Sequence, residues 1–271
     1  MEKLCCYLDL IGFKSAVEKD SEIAFKLLNN YQGVLEISKI VNQVFDATKY
    51  SSFEDFIPMS DSLFITGINP DSFIKDISEF LVDCYLFDAQ NGETQKTLFK
   101  GAISFGEIET FTQNCLIDKS IVKQKNILGK GIDSSVSLYE NHKNDKGPRI
   151  FIDSIVYEKL SKEIQESYFF SNGNIKELLW PYCQFDNKNE FNCLITKYSI
   201  EFLQTSIEQY KKNRLEKWSS YYSEFVKLVL NAGMQAAKNR NSYKEMKDIF
   251  TPDLNDEINI FFQLAETNQM N

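Results

Sequence analysis

The sequence predicts an α+β protein, a mixed core of strands and helices followed by a helical C-terminal extension. Three observations carry this. Short apolar, β-prone runs stand at 4–10, 53–57, 63–66, 97–108 and 149–152. Between them lie segments whose apolar residues recur every three, four or seven positions, the spacing of one helix face. From about residue 200 onward only the helical pattern occurs, so we divide the chain into residues 1–198 and a helical extension at 199–271. With 271 residues, 43% apolar, 14% aromatic and only 11 Gly and 5 Pro, the chain has material for a sizeable core and little for disordered linkers.

The first run, Leu4 to Leu10, is followed by Gly12 and then by Ile23, Leu27, Tyr31, Val34, Val41, Val44 and Phe45, which reads as strand, turn and long helix. Phe53–Ile57 and Leu63–Thr66 flank Pro58-Met59-Ser60-Asp61-Ser62, a hairpin with small polar residues at its tip. Pro70-Asp71-Ser72 opens a second helix with Phe73, Ile77, Phe80, Leu81 and Cys84 on one face, ended by Asn91-Gly92. A strand over 97–108 contains Lys100-Gly101-Ala102-Ile103-Ser104-Phe105-Gly106, whose glycines allow close backbone approach or mark a bulge. A strand or excursion at 111–123, a helix beginning near Leu128 and a strand at 149–152 follow. Leu203, Ile207 and Tyr210, then Trp218 through Val229, then 250–264 are helical stripes, and we read the aromatic ones as packing surfaces.

Several function classes are excluded early. With 30 basic and 39 acidic residues the formal charge is −9, so binding of nucleic acid through a basic surface is not expected. No run of about 18 apolar residues and no signal-peptide pattern occurs, so the expectation is a cytoplasmic protein with no membrane partner. The six Cys residues lack C-x-x-C spacing and read as reduced core residues rather than zinc ligands. The single His, His142, lies in the polar stretch ENHKNDKG, a poor setting for a buried, oriented base. Chemistry must then rest on carboxylates, metals or backbone.

Two carboxylates stand out by position. Asp9 lies where the first strand gives way to Leu10-Ile11-Gly12-Phe13, and Asp61 lies at the hairpin tip. If their strands are neighbours in one sheet, the strand ends bring the carboxylates together, and like charges so close call for a divalent cation between them. The turn after Asp9 enters a helix, whose first backbone N–H groups suit a polyphosphate. Each motif alone is commonly an N-cap or an ordinary polar tip. It is the pair, in this order with these elements between, that points to a metal and a triphosphate. A P-loop is excluded: around Gly129-Lys130 the pattern needs Gly at Gln124 and Ser or Thr at Gly131.

The strand with Asp9-x-x-Gly12-Phe13, a helix, the hairpin with Asp61, Lys100-Gly101-Ala102-Ile103-Ser104-Phe105-Gly106, and Gly129-x-x-Ile132-Asp133-x-Ser135-x-Ser137-Leu138 resemble, over residues 4–152, the successive motifs of class III nucleotidyl cyclases. Within that superfamily the small size, the Ser-Asp-Ser hairpin, the Lys-Gly-Ala-Ile-Ser strand and the helical extension are most similar to the pyrimidine cyclases of the bacterial Pycsar antiphage system. The resemblance implies a ferredoxin-like core of βααββαβ type, acting as a homodimer with the active site at the interface. It implies two Mg²⁺ or Mn²⁺ ions held by Asp9, Asp61 and the Leu10 carbonyl, with phosphates on Ile11-Gly12-Phe13. The reaction it implies is cyclisation of UTP, or alternatively CTP, with the product sensed by a separate effector.

The departures from the broader cyclase pattern matter as much. The position four before the second metal Asp, often an adenine-reading Lys, is Ile57; the helix motif's Asn is Asp133, and its transition-state Arg is Ser137. An ordinary adenylate cyclase is therefore disfavoured. Lys100 and Lys130 are the candidates for a substituting cation, with a structural role for Lys100 equally open. Tyr50, Phe56 and Ile57 are candidates for the wall of a small base pocket or for plain packing. A dimeric, nucleotide-sensing homologue without turnover is the alternative that Ser137 raises.

Overall fold

A computed structural model describes residues 1–90, 97–117, 120–172, 175–185, 192–214 and 219–239, with residues 256 and 259. Its order opens β1 (Glu2–Leu10), α1 (Phe13–Lys19), α2 (Ser21–Phe45), β2 (Asp55–Met59), β3 (Ser62–Gly67), α3 (Pro70–Gln90) and β4 (Phe99–Glu107), which is βααββαβ. There follow a ribbon of β5 (Glu109–Ile117) and β6 (Ser120–Leu128), α4 (Lys130–His142), β7 (Ile150–Ile152), α5 (Ser154–Lys159), α6 (Lys162–Ser167), β8 (Phe169–Asn172) and β9 (Ile175–Leu178). A 3-10 turn at Trp180–Gln184 leads to α7 (Asn192–Asn213) and α8 (Ser219–Asn239). The fold is α+β, built on a mixed seven-stranded sheet in the order β2-β3-β1-β4-β7-β9-β8. Among the described strands β4 and β7 run parallel and the other neighbours antiparallel.

β1 is central, paired with β3 on one side and β4 on the other, and its alternation splits the molecule into two faces. Leu4, Cys6, Leu8 and Leu10 enter the main core with residues of α2 and α3, while Cys5 enters a smaller cluster with Ile57, Phe64 and Ile108, against which Tyr7, Ile127, Ile132 and Val136 pack. Period-two side-chain direction makes the odd positions of β1, and with them Asp9, belong to that second face. α4 lies on this side.

The helix expected to start after Gly12 is two helices. Asp20 breaks it: its backbone is extended (φ −164°, ψ 119°) and its carboxylate accepts the Glu22 N–H at 2.8 Å as the N-cap of α2. α3 begins where Asn69 accepts the Ser72 N–H, with Pro70 as its first residue. The strand or excursion expected at 111–123 falls in the β5–β6 ribbon, whose strands, among the described residues, pair with each other alone. Lys125 ties it back to the sheet edge through Asp55 at 2.5 Å.

The C-terminal helices bury their aromatic stripes. Phe225 stacks on Trp180 with ring centres 5.3 Å apart and meets Tyr85 of α3 edge-on at 4.8 Å. Tyr222, Phe225, Leu228 and Val229 all join the main core, away from Asp9. α7 runs unbroken through residue 198. Trp218 and nearly all of the 250–264 stripe lie outside the described residues. Cys5, Cys6 and Cys84 are buried thiols, and burial pushes the Cys5 thiol up to about 12. Among the described residues, no helix is long and apolar enough to cross a membrane.

Candidate active site

The two acidic residues singled out from the sequence meet at one end of the sheet. β1 and β3 are neighbours, so Asp9 stands opposite Ser62, and Asp61 follows in the two-residue connection between β2 and β3. The backbone locks the pair in register: the Leu10 N–H donates to the Asp61 carbonyl at 3.0 Å. Ser60 takes a positive φ of 58° to make this turn, a conformation a residue with a Cβ adopts only at some cost. Local strain thus sits next to the residue whose position matters.

Asp9 is held on both oxygens. Tyr139 of α4 donates its phenol proton to Oδ2 at 2.6 Å, and the Ser62 hydroxyl donates to Oδ1 at the longer distance of 3.4 Å. Tyr7 and Ser62 share a hydroxyl–hydroxyl bond of 3.0 Å, and the Tyr7 and Tyr139 rings meet edge-on at 5.0 Å. Burial pushes the Asp9 carboxyl above the usual carboxylate range. Its hydrogen bonds to Tyr139 and Ser62 oppose that, and the Asp61 charge adds to it. An ionised carboxylate that is both desolvated and beside a like charge is at an electrostatic disadvantage that a cation relieves.

The donor chemistry suits a hard divalent ion. Two carboxylates and the Leu10 backbone oxygen are oxygen donors of the kind Mg²⁺ and Mn²⁺ take, and Mg²⁺ commonly binds through one or two carboxylates with substrate phosphates completing the shell. Among the described residues no group of three or more His, Cys, Asp or Glu side chains is gathered for a metal. A cation at Asp9 and Asp61 therefore fits only as one shared with backbone and ligand oxygens.

The turn after Asp9 is tight. Gly12 sits at φ 84°, which favours glycine, and caps α1 with no side-chain cap hydrogen bond. The Ile11 N–H is already engaged with the Leu98 carbonyl at 2.9 Å. Phe13 is the first residue of α1, a helix of seven residues.

The remaining candidates separate. Lys100 is 3% exposed, and its ammonium donates to the His142 carbonyl at 2.6 Å and to the Asp145 carbonyl. Burial lowers its pKa to about 8. This is a structural role: Lys100 caps the C-terminal end of α4, where a cation also complements the helix dipole. His142 itself stacks on Phe151 and meets Asp145 through Nδ1 at 2.9 Å. Ile57, 3% exposed, is packed in the smaller cluster on the face of Asp9. Phe56 and Tyr50 point the other way, into the main core beside Phe80, so the three do not wall one pocket. Asp133, Ser137 and Lys130 lie on the exposed side of α4. None of the described hydrogen bonds or ion pairs joins them to Asp9 or Asp61.

The glycines of the two motifs are explained by packing. A Cβ on Gly106 would stand 2.9 Å from the Gly131 nitrogen, and one on Gly131 would stand 2.8 Å from Ile108. Ser104 donates to the Gly131 carbonyl at 2.5 Å. The start of α4 rests directly on β4, and this brings Tyr139, about two and a half turns on, over Asp9.

Sequence reasoning passed over Tyr139, Ser62 and Tyr7. Two signals were available: Ser62 follows from the antiparallel register of the hairpin, and Tyr139 shares the inward stripe Ile132, Ser135, Val136, Tyr139 at helical spacing.

No family model matches the chain, and no curated protein matches it either. Solved structures do. A crystal structure of the guanylyl cyclase Cya2 aligns with a TM-score of 0.45 at 17% identity, over 66% of this chain and 92% of that one. A bacterial light-regulated adenylyl cyclase aligns with a TM-score of 0.44 at 13% identity, over 65% of this chain and 50% of that one. A class III adenylyl cyclase-like ATP-binding protein from Pseudomonas aeruginosa gives 0.38 at 14% identity, over 62% and 36%.

Proposed function

We propose that this protein is a metal-dependent nucleotidyl cyclase that converts a pyrimidine nucleoside triphosphate, UTP in preference to CTP, into its 3′,5′-cyclic monophosphate and pyrophosphate. The observation that carries the reading is the pairing of Asp9 with Asp61, joined through the Leu10–Asp61 backbone bond and coupled by charge. Asp9, Asp61 and the Leu10 carbonyl would hold two Mg²⁺ or Mn²⁺ ions, and the Ile11-Gly12-Phe13 turn would carry the phosphates. Bound there, the ions supply charge neutralisation and activation of the ribose 3′-hydroxyl. The chain itself contributes positioning, so the lack of a suitably placed histidine is no obstacle. The preference for a pyrimidine, the cytoplasmic antiphage setting and the separate effector rest on the resemblance to Pycsar cyclases. So does the homodimer, in which the exposed Asp133, Ser137 and Lys130 of one copy would face the acidic pair of the other.

Incubating the purified protein with each of the four NTPs and Mn²⁺, and searching for a cyclic monophosphate by mass, tests the reading. Cyclic UMP or cyclic CMP that vanishes in Asp61→Asn is the expected result. No product from any NTP overturns it. The absence of an arginine at Ser137 favours a second reading, an NTP-binding dimer without turnover, which predicts calorimetric NTP binding and no product.

A further inference from the structure

We infer that Tyr139 is the positioning residue for the Asp9 carboxylate, fixing by its phenol hydrogen bond the orientation in which Asp9 receives a divalent cation. This rests on the metal-binding part of the reading above and assigns a role to a residue outside the cyclase motifs.

The argument starts from how Asp9 is left without Tyr139. It stands one residue from the end of β1, half-buried, beside a like charge, and among the described residues its other side-chain hydrogen bond is the 3.4 Å contact from Ser62. A carboxylate with so little holding it rotates about its last torsion, and a two-carboxylate cation site tolerates little of that motion. The 2.6 Å bond from Tyr139 is the short one. It occupies one lone pair of Oδ2 and leaves the other available, since an ionised carboxylate accepts about four hydrogen bonds. Tyr139 thus orients the ligand without displacing the ion, as hydrogen-bonding partners of metal ligands do.

The phenol is itself fixed. α4 is attached to the sheet at its start by Ser104 on the Gly131 carbonyl, in its middle by Ser135 against Cys5 at 3.6 Å, and at its end by Lys100 on the His142 carbonyl. The Tyr139 ring packs edge-on against Tyr7, whose hydroxyl reaches Ser62, so Tyr7, Ser62, Asp9 and Tyr139 form one continuous chain of contacts. A helix held at three points delivers one hydroxyl to one carboxylate oxygen. The bond spans 130 residues of sequence.

The test is Mn²⁺ titrated alone into the full-length protein, followed by loss of the free-ion paramagnetic resonance signal, for wild type, Tyr139→Phe and Ser62→Ala. Thermal unfolding of each variant without metal is measured alongside. Tyr139→Phe keeps the ring and removes one oxygen. The expected result is Mn²⁺ affinity lowered about 10- to 100-fold, the range for losing a partner of a metal ligand, with a smaller loss for Ser62→Ala. Mn²⁺ affinity within twofold of wild type in a folded Tyr139→Phe protein overturns the inference and leaves the tyrosine as a helix anchor only. A wild type that takes up no Mn²⁺ overturns it as well. Should Tyr139→Phe fail to fold, Tyr139→Met, which fills the space without a donor, decides: Mn²⁺ affinity lowered about 10-fold or more supports the inference, and affinity within twofold of wild type overturns it. Because no nucleotide is present, failure of the cyclase reading is distinguishable. It would show as no cyclic product from any NTP while Mn²⁺ binding still depends on Tyr139.

Discussion

The ammonium of Lys100 donates to the carbonyl of His142 at 2.6 Å, so a lysine on the strand beside Asp9 closes the last turn of the helix that carries Tyr139. The ammonium bonds the last carbonyl of α4, which also accepts the Asp145 N–H, and the Asp145 carbonyl just beyond it, which makes Lys100 part of the frame that places α4.

Replacing Lys100 with Met keeps most of the stem and removes the donor. Hydrogen bonds to charged groups contribute about 1.5–3 kcal/mol, and the carbonyls of His142 and Asp145 would be left without this partner. The expected outcome is a loss of about 2 kcal/mol in the urea unfolding free energy with an unchanged m-value. A neutral outcome would mean that α4 is held from its start and middle, by Ser104 and Ser135, without need of Lys100.

At that start the expected costs are graded. Gly129 has φ +134°, and a Cβ there would lie 2.2 Å from the Glu107 carbonyl oxygen, a backbone atom that cannot step aside. Gly129→Ala is expected to cost about 3 kcal/mol or more, from overpacking and backbone strain together. Gly131→Ala meets Ile108 side-chain atoms at 2.8 Å, which can shift, and is expected to cost about 1–2 kcal/mol. Urea midpoints of the two variants check the order; the reverse order would contradict the close helix-on-strand packing.

Much of this frame is legible in the sequence because it is written in short-range patterns. The apolar run of β1, the Ser60-Asp61 turn and Pro70 at the start of α3 are local signals, and the elements follow from them. Asp20-Ser21-Glu22 also carries the break between α1 and α2, but the apolar spacing that runs on from Ile23 masks it. The β5–β6 ribbon is obscure for a different reason: its described side chains at 109–114 and 123–128 are exposed or half-buried, and the polar stretches Thr112-Gln113-Asn114 and Lys123-Gln124-Lys125-Asn126 carry no hydrophobic register. Phe56 and Ile57 are adjacent on β2 and so must face opposite sides of the sheet, a period-two rule that forbids a shared pocket without any coordinates. Tyr139 is different in kind. Its meeting with Asp9 depends on the angle at which α4 is laid on the sheet, which glycines at 106 and 131 set through tertiary contact.

The anchor of the ribbon is expected to be acid-sensitive. Burial pushes the Asp55 carboxyl up, but the hydrogen bonds from Lys125 and Thr66 and the charges of Lys125 and Lys3 outweigh it and hold the group below its ordinary value. A carboxyl with a depressed folded-state pKa gives stability that is present above its unfolded value of about 3.9 and is lost as pH falls through the folded value. The wild type is therefore expected to lose stability below about pH 4 more steeply than Asp55→Asn. Unfolding free energies between about pH 2 and 6 measure it; parallel curves for the two proteins would remove Asp55 as a titrating anchor.

Asp61→Asn separates stability from function. The substitution keeps the backbone carbonyl that accepts from Leu10, so the hairpin register has no reason to change. It removes the charge that helps raise the Asp9 carboxyl. A residue kept for ion binding opposes folding in the metal-free protein, as charged clusters at active sites do. The metal-free variant is therefore expected to be as stable as wild type or more stable by up to about 1 kcal/mol. In wild type, Mn²⁺ should raise the melting temperature by mass action, because it binds the folded chain alone. In Asp61→Asn that increase should be largely lost, together with any cyclic product. Thermal scans with and without Mn²⁺ read both effects. A variant destabilised by more than about 1 kcal/mol without metal, yet still stabilised by Mn²⁺ as wild type is, would make Asp61 a residue of the turn and not of a cation site.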